Sequence, residues 1–509
     1  MEKATEFVDG TINGTIWNVV PWLLLAAGLY FGLRTIFVQV RLFPEMLKAV
    51  AETPKGKDRE GRDLDEEYGG ISAFKAFTIS AASRVGTGNI AGVALAISVG
   101  GPGAVFWMWT MAIVGGATAF VESTLAQLWK TRDPEGTYHG GPAYYMTRGL
   151  GWKPLAVVFA VALSFTYGFV YNAIQTNSIV EAVGGSFNND STTLKAIVAV
   201  IIAGLTAMII FGGVTRIANV TQVIVPFMAV AYILIGIVVV VINIREVPGM
   251  FSLIVTHALG IRQVTGATLG MAFMWGMRRG LFSNEAGQGS APNAAATATV
   301  SHPVKQGLVQ TLGVYFDTIV VCSITAFIVL LGPEVTYGKE DIQGASLTQS
   351  ALSDSVGSWG THFITFILFF LAFSSVIGNY YLAQANVQYF SESKTVMTIF
   401  RLGVIAFVFF GAFGSVPLVW SLGDTMAGIM ATINIIAIVP LGGVAIKLLK
   451  NYNKQRVQGI DPVFHRDMLP ELPNVEVWDG SDPVTRRSIE DRETLRDAGQ
   501  AHRARGPHA

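Results

Sequence analysis

Long apolar stretches recur along almost the whole chain. Eleven of them reach roughly 20 residues, the length that an α-helix needs to cross about 30 Å of hydrocarbon. They lie at 16–38, 71–99, 102–129, 154–182, 194–213, 219–243, 263–291, 306–331, 361–390, 395–413 and 416–449. Because 51% of the 509 residues are hydrophobic and only 14% are charged, the polar surface is too small to cover a soluble protein of this size. The sequence predicts an all-α membrane protein with eleven spans.

The connections between these stretches predict the orientation. Lys and Arg are more frequent in the connections that become internal if the amino terminus is outside, above all in 41–70. We therefore expect a multi-pass protein of the cell (inner or plasma) membrane, with its amino terminus outside and its carboxyl terminus in the cytoplasm. The formal net charge of zero argues against a nucleic-acid partner, and the single Cys322 excludes an internal disulfide.

Ten of the eleven stretches divide into two sets of five. The leading stretches, 71–99 and 263–291, then cross the membrane in opposite directions, which makes the two halves inverted repeats. The predicted organisation is an amino-terminal segment and peripheral span (1–40), a first repeat (71–246), a second repeat (263–450) and a charged, mobile cytosolic tail (451–509).

Both leading stretches are interrupted by glycine and polar residues. The first contains "SRVGTGN" and the second "FMWGMRRGLFSNEAGQGS". Interrupted helices at matching positions of two inverted halves indicate a transporter binding site near the bilayer midplane. Gly86 and Gly88 are predicted to mark where the first helix unwinds, although glycines in membrane helices also serve only to let helices pack closely. Arg84 favours a site, since a charge inside a span costs roughly 2.5–3.5 kcal/mol on insertion scales.

Four sequence blocks resemble those of the alanine/glycine:cation symporter family. In chain order they are "VGTGNIAGVALAI" (85–97), "GGPGAVFWMWTMAIVGG" (100–116), "GGPAYYMTRGLG" (140–151) and "RGLFSNEAGQGSAPNAAA" (279–296). The resemblance implies a LeuT-like 5+5 inverted repeat with one extra amino-terminal transmembrane helix. It also implies symport of a small neutral amino acid, alanine or glycine, with Na⁺ and without an organic cofactor. The coupling ion (Na⁺ or H⁺) and a broader substrate such as glutamine or serine stay open.

An unwound segment suggests how the two ends of an amino acid are held. Free backbone N–H groups at Thr87, Gly88 and Asn89 are expected to bind the carboxylate. Carbonyls around 84–86 and around Phe273 to Gly276 are expected to accept from the ammonium group.

Further pocket residues are expected on three helices. Asn172 and Gln175 share one helix face, where the alternative is hydrogen bonding between helices. Phe273, Trp275 and Asn379 are predicted pocket walls, and the bulk of Trp275 should favour alanine or glycine.

Serine hydroxyls and backbone carbonyls are the predicted sodium ligands. Ser374 and Ser375, in "LAFSSVIG", are expected to bind Na⁺ with the carbonyls of Ala82 and Val85, as a similar segment does in the neurotransmitter:sodium symporters. The alternative is that these serines bond to carbonyls of their own helix.

Two buried acids and a cluster of charges need separate explanations. Asp317 is expected first in an ion pair or network and second as a cation ligand. Glu122 likewise needs a partner. A gate of paired charges at the cytosolic exit is expected from Arg278, Arg279 and Glu285.

Other classes of function fit less well. A channel has no reason for two interrupted, inverted helices, and the chain lacks the motifs of a membrane enzyme, so no catalytic residue is expected. A transporter-like sensor that signals through its carboxyl-terminal tail remains an alternative.

Overall fold

The computed structural model describes residues 7–51, 71–132, 137–262, 268–332 and 344–481. Most of this part of the chain is helical. The first helices are α1 (Gly14–Arg34), α2 (Val38–Arg41), α3 (Phe43–Ala51), α4 (Ala73–Arg84), α5 (Val93–Gly100), α6 (Gly103–Leu128), α7 (Pro142–Arg148), α8 (Lys153–Phe165), α9 (Tyr171–Phe187), α10 (Thr192–Ile210), α11 (Gly213–Ile242) and α12 (Val247–Ala258). The later helices are α13 (Leu269–Asn284), α14 (Ala291–Thr297), α15 (Pro303–Val314), α16 (Ser323–Leu330), α17 (Gly344–Val356), α18 (Trp359–Phe390), α19 (Lys394–Gly411) and α20 (Val416–Val457).

Short irregular elements connect some of these helices. Wider π-helical turns lie at Phe7–Asn13, Gly88–Gly92, Thr166–Val170 and Tyr315–Cys322. A short hairpin pairs β1 (Thr131–Arg132) with β2 (Tyr138–His139) in antiparallel fashion. Ile71, just before α4, pairs with Ala298, just after α14. This bridge joins the start of the first leading helix to the segment that follows the second.

Within the described ranges, nine helices are long and apolar enough to cross a membrane. They are Gly10–Arg34, Gly103–Leu128, Lys153–Phe187, Thr192–Ile210, Gly213–Ile242, Pro303–Leu330, Trp359–Phe390, Lys394–Gly411 and Val416–Val457. Large apolar side chains such as Val223, Phe227 and Val230 are exposed, as expected for a lipid-facing surface. The all-α membrane fold is confirmed, whereas the total of eleven spans and the LeuT-like repeat stay predictions.

The first leading helix is interrupted where the sequence predicts. Helix α4 ends at Arg84, Val85 leaves the helical conformation with φ −79° and ψ 89°, and a π-helical turn starts at Gly88. Three residues therefore separate α4 from the rest of the span, and regular helical hydrogen bonding is lost across them. We call Val85 to Thr87 the first break.

The second leading helix is interrupted later than predicted. Helix α13 continues without a gap to Asn284, and the chain then turns at Glu285, Gly287 and Gly289, which have φ values of 57°, 85° and 82°. Two of these three positions are glycines, which adopt positive φ without steric cost. The expected break at Phe273 to Gly276 is wrong, and residues 285–290 form what we call the second break.

The carboxyl-terminal segment (residues 458–481) folds back onto the helical bundle. The Trp478 indole, 1% exposed, donates to the Gln127 carbonyl (3.1 Å), and the Phe464 amide donates to the Ser301 carbonyl (2.8 Å). The expectation of a mobile tail from 451 is therefore wrong up to residue 481, because buried aromatic side chains anchor it. The rest of the predicted tail (482–509), like most of the basic connection 41–70, lies outside the described residues.

Candidate functional site

Side chains satisfy the backbone of the first break. The Gly86 amide donates to Asn89 Oδ1 (2.9 Å), and the Thr87 amide donates to Gln175 Oε1 (3.0 Å). The Asn89 amide donates to the Gly86 carbonyl (3.1 Å). The sequence suggested free N–H groups at Thr87 and Asn89, but in the structure both have acceptors. The acceptor of the Thr87 amide is a side-chain oxygen, which an incoming carboxylate can replace.

The glycines of the first break allow two helices to approach it closely. A Cβ atom at Gly86 would lie 2.8 Å from Gln175 Oε1 and would also overlap the Ser375 hydroxyl. A Cβ atom at Gly88 would lie 2.9 Å from the Phe282 ring. Any larger residue at either position would push away the groups that face the break.

The two polar residues of α9 both point towards the interrupted helix. Gln175 holds the Thr87 amide, and Asn172 Oδ1 accepts from Asn379 Nδ2 (3.2 Å). Asn379 in turn accepts a hydrogen bond from the Ser83 hydroxyl (2.7 Å). Of these predicted pocket residues, Gln175 therefore contacts the first break itself, Asn379 contacts the last turn of α4, and Asn172 is linked to α4 through Asn379.

Phe273, Trp275 and Gly276 lie elsewhere. Phe273 packs on Trp22 and Trp107, with ring centroids 4.8 and 4.9 Å apart. A Cβ atom at Gly276 would lie 2.6 Å from the Trp107 Cβ, so this glycine serves close packing of α13 on α6. Trp275 packs against Gly100, and the guanidinium groups of Arg278 and Arg279 lie over its ring, 5.1 and 5.4 Å from the centroid. Because α13 is regular here, these residues provide neither free carbonyls nor walls at the break.

Other aromatic residues surround the first break instead. The Phe282 ring, next to Gly88, lies 5.0 Å from Tyr171 and 5.1 Å from Trp420 between centroids. A Cβ atom at Gly92 would lie 3.6 Å from the Trp420 ring. Sequence reasoning missed these three residues. Phe282 lies inside the quoted glycine-rich block, whereas nothing in the sequence singles out Trp420.

Ser375 joins the helix α18 to the carbonyls that end α4. Its hydroxyl lies 2.8 Å from the Ala82 carbonyl oxygen and 3.3 Å from that of Val85. Ser374 instead donates to the Leu371 carbonyl of its own helix (2.8 Å). Three of the four predicted sodium ligands therefore converge. The alternative of a bond within their own helix holds for Ser374 and also for Ser375, whose hydroxyl lies 3.1 Å from the same Leu371 carbonyl.

Asp317 is part of a hydrogen-bonded network. Its Oδ1 accepts from Asn89 Nδ2 (2.6 Å), and its Oδ2 accepts from Thr318 (2.9 Å) and from Ser283. The π-helical turn Tyr315–Cys322 directs this carboxyl group towards the residues that follow the first break. The network fits the first of the two expectations for Asp317.

The expected gate of Arg278, Arg279 and Glu285 has a different composition. Arg278 lies 3.5 Å from Asp424 Oδ2, and Arg279 makes an ion pair with the same carboxylate. The Glu285 carboxyl group instead contacts the hydroxyls of Ser83 (3.0 Å) and Ser290 (2.6 Å). The predicted pairing is wrong, because Glu285 turns away from α13 at the second break. Arg279 lies on the α5 side of the first break, with its Cδ 3.7 Å from a Cβ at Gly92.

Glu122 binds the second break. Its Oε1 accepts from the Gly287 amide (3.1 Å), and its Oε2 accepts from Asn434 Nδ2 (2.7 Å). The same Asn434 nitrogen also donates to the Gly287 carbonyl (2.9 Å). This carboxylate therefore compensates for hydrogen bonds that the interrupted helix lacks.

Two interrupted helices whose polar groups face each other within a bundle of membrane-spanning helices are typical of membrane transporters. Residues 1–466 match the sodium:alanine symporter family, and the chain belongs to that family.

Several relatives cover nearly the whole chain. The amino-acid carrier protein AlsT of Bacillus subtilis is 50% identical over 93% of this chain and 98% of its own. The probable sodium/glutamine symporter GlnT of the same organism is 44% identical over 95% and 98%. The sodium/alanine symporter AgcS of Methanococcus maripaludis is 39% identical over 89% and 98%. The family and these relatives make the chain a sodium-coupled amino-acid symporter.

Proposed function

We propose that this protein carries a small neutral amino acid, alanine or glycine, into the cell together with Na⁺ by alternating access. The observation that supports this most is the convergence at the first break of a replaceable amide partner, Gln175, and a hydroxyl that meets two carbonyls, Ser375. Gln175 faces an amide of the unwound segment, and Ser375 faces carbonyls at and just before it. Both groups border the Cβ position of Gly86, so the two opposite charges bind next to each other.

The amino-acid carboxylate takes the place of Gln175 Oε1 at the Thr87 amide. The π-helical turn that starts at Gly88 directs its N–H groups and its positive dipole end to the same point. Once displaced, the Gln175 oxygen is an acceptor for the ammonium group. The Phe282 ring lies so close to Gly88 that a Cβ atom there would be only 2.9 Å from it, and this tight packing beside the break favours a small substrate such as alanine or glycine.

Sodium binds between α4 and α18. The carbonyls of Ala82 and Val85 and the Ser375 hydroxyl supply three oxygens, and Ser374 supplies another after rotating away from Leu371. Gly378 permits this close contact, since a Cβ atom there would lie 2.5 Å from the Ser83 amide nitrogen. The ion thereby holds α4 in the position in which the Thr87 amide meets the substrate.

Glutamine is a second candidate substrate. The relative GlnT is named a probable sodium/glutamine symporter, and the amide pair Asn172 and Asn379 gives the surroundings of the break a polar side.

We infer that the amino terminus is outside, as the distribution of Lys and Arg predicts.

The experiment is counterflow of labelled alanine in liposomes that contain the purified protein. Na⁺ and H⁺ gradients are imposed separately, and glycine, serine and glutamine are offered as unlabelled competitors. The proposal expects accumulation with the Na⁺ gradient and competition strongest from glycine. The variant Gln175→Ala should lose affinity, whereas Gln384→Ala, on α18 but away from the break, is the matched control. Competition by glutamine stronger than by glycine would favour the second candidate.

A further inference from the structure

The buried carboxyl group of Glu285 is surrounded mainly by hydroxyl groups. It lies at the second break and is 1% exposed. The hydroxyls of Ser83 and Ser290 lie 3.0 and 2.6 Å from its two oxygens. Among the described residues, the charged and titratable groups that face it are Arg84, Tyr167 and Tyr171. A hydroxyl can donate or accept, so these partners suit the carboxyl group both with and without a proton.

The orientation of two amide side chains determines where the Ser83 proton goes. Asn172 Nδ2 donates to the Gly168 carbonyl (3.1 Å), which can only accept. The Asn172 oxygen must therefore accept from Asn379 Nδ2 (3.2 Å). As a result the Asn379 oxygen, an acceptor, faces the Ser83 hydroxyl at 2.7 Å.

The Ser83 hydroxyl then has two acceptors but only one proton. If Ser83 donates its proton to Asn379, the proton between Ser83 Oγ and Glu285 Oε1 must come from Glu285. We propose that Glu285 is a proton-binding site and that it holds a proton in this conformation. The protonated carboxyl group donates to Ser83, Ser83 donates to Asn379, and Asn379 donates to Asn172. One directed chain of hydrogen bonds then links the second break to α4, α18 and α9.

The other two buried acids of the site differ in their partners. Glu122 accepts N–H groups from Gly287 and Asn434, which cannot accept in return. Asp317 accepts an N–H group from Asn89 as well as two hydroxyl protons. These N–H donors favour the carboxylate form of Glu122 and Asp317, whereas the Ser83 and Ser290 partners of Glu285 are hydroxyls. Arg84 is a charged neighbour of all three acids, so a proton on Glu285 also reduces the excess of negative charge around it.

Loss of this proton changes the surroundings of the amino-acid site. The Ser83 proton then turns to the charged Glu285, and the Asn379 oxygen loses its donor. If the amino acid binds beside Asn379, as the proposed function has it, its affinity should fall as pH rises. One proton limits this fall to about tenfold per pH unit.

Infrared spectroscopy of the purified protein in lipid tests the proton itself, without Na⁺ or amino acid. The wild-type protein should show the carbonyl band of a protonated carboxylic acid at neutral pH, and Glu285→Gln should lack it. In Ser83→Ala the band should shift, because the acid loses its acceptor. A spectrum in which neither variant changes a carboxylic acid band would overturn the proposal. Since no transport is measured, this outcome does not depend on the proposed function.

Two further measurements use matched variants. Glu285→Gln should melt like the wild type, because its amide can donate to Ser83 and accept from Ser290. Glu122→Gln should melt at a lower temperature, because the new amide nitrogen must face the N–H group of either Gly287 or Asn434, and two donors cannot form a hydrogen bond. Alanine affinity at saturating Na⁺ should fall with rising pH in the wild type and stay constant in Glu285→Gln. An unchanged pH dependence in Glu285→Gln would contradict the proton site.

Discussion

Replacing Ser375 by alanine should weaken sodium binding strongly. The hydroxyl is within 3.3 Å of the carbonyl oxygens of both Ala82 and Val85, so an ion at this point loses one of its few protein oxygens. A hydrogen-bonding group that serves a charge contributes about 1.5–3 kcal/mol. Since about 1.4 kcal/mol corresponds to tenfold, the Na⁺ concentration for half-maximal uptake should rise about 10- to 150-fold.

Ser374→Ala is the comparison variant, since the Ser374 hydroxyl donates to the Leu371 carbonyl, whereas the Ser375 hydroxyl also reaches the carbonyls of Ala82 and Val85. Because Ser374 must rotate to reach the ion, we expect Ser374→Ala to raise the Na⁺ requirement by less than Ser375→Ala, and the double variant to raise it further than Ser375→Ala alone. The assay is uptake of labelled alanine into liposomes over a range of Na⁺ concentrations. At saturating Na⁺ the affinity for alanine should fall much less, because the hydroxyl does not contact the substrate.

A different pattern would refute this reasoning. If Ser375→Ala lowers alanine affinity equally at every Na⁺ concentration, while the Na⁺ dependence is unmoved, the serine belongs to the substrate pocket or only to the fold. The ion then binds elsewhere, and Asp317 is the next candidate. If Ser374→Ala has the larger effect, the ion requires a rotated Ser374 more than Ser375.

The remaining predictions concern the break, the pocket wall, the carboxyl-terminal segment and pH. Gly88→Leu should abolish alanine binding while the protein stays monodisperse in detergent, because its side chain overlaps Phe282; normal uptake would rule out the backbone site. Phe282→Ala should admit larger competitors such as valine, whereas Trp275→Ala should not, since Trp275 packs away from the break; the reverse result would restore Trp275 to the pocket. Trp478→Ala should lower the melting temperature by detaching the carboxyl-terminal segment, and an unchanged melting curve would show that this contact contributes nothing. Burial lowers the pKa of His302 from its ordinary value to about 3. Protons therefore bind the unfolded chain first, and stability should fall as pH drops below about 6.5 towards 3; His302→Gln should show a flatter pH dependence of melting.

Local sequence signals predicted the first break but not the second. At the first break, polar and glycine residues occur together within an otherwise apolar stretch, so the position of the interruption can be predicted from the sequence. The second stretch contains Gly276, Gly280, Gly287 and Gly289, and a glycine in a membrane helix can either pack or turn. Gly276 packs on α6, and Gly287 and Gly289 turn with positive φ. Contacts with another helix decide between these roles, and they are not visible in the local sequence.

Long-range pairs also escaped prediction. Arg279 finds Asp424 on α20, and Glu285 finds Ser83 on α4, whereas proximity in sequence suggested that Arg279 and Glu285 act together. The highly charged composition of the tail likewise concealed Trp478, whose burial fixes the segment. Ser375 was predictable because the resemblance supplied its partner helix, and the geometry brings it to Ala82.

Reciprocal binding tests the central claim that one unwound segment couples sodium to the amino acid. Alanine affinity is measured by calorimetry with and without saturating Na⁺, and Na⁺ affinity with and without saturating alanine, in the wild type and in Ser375→Ala. We predict that each ligand strengthens the other by the same factor, about 5- to 150-fold, and that this factor shrinks in the variant. Alanine binding that is equally strong without Na⁺ would contradict the account.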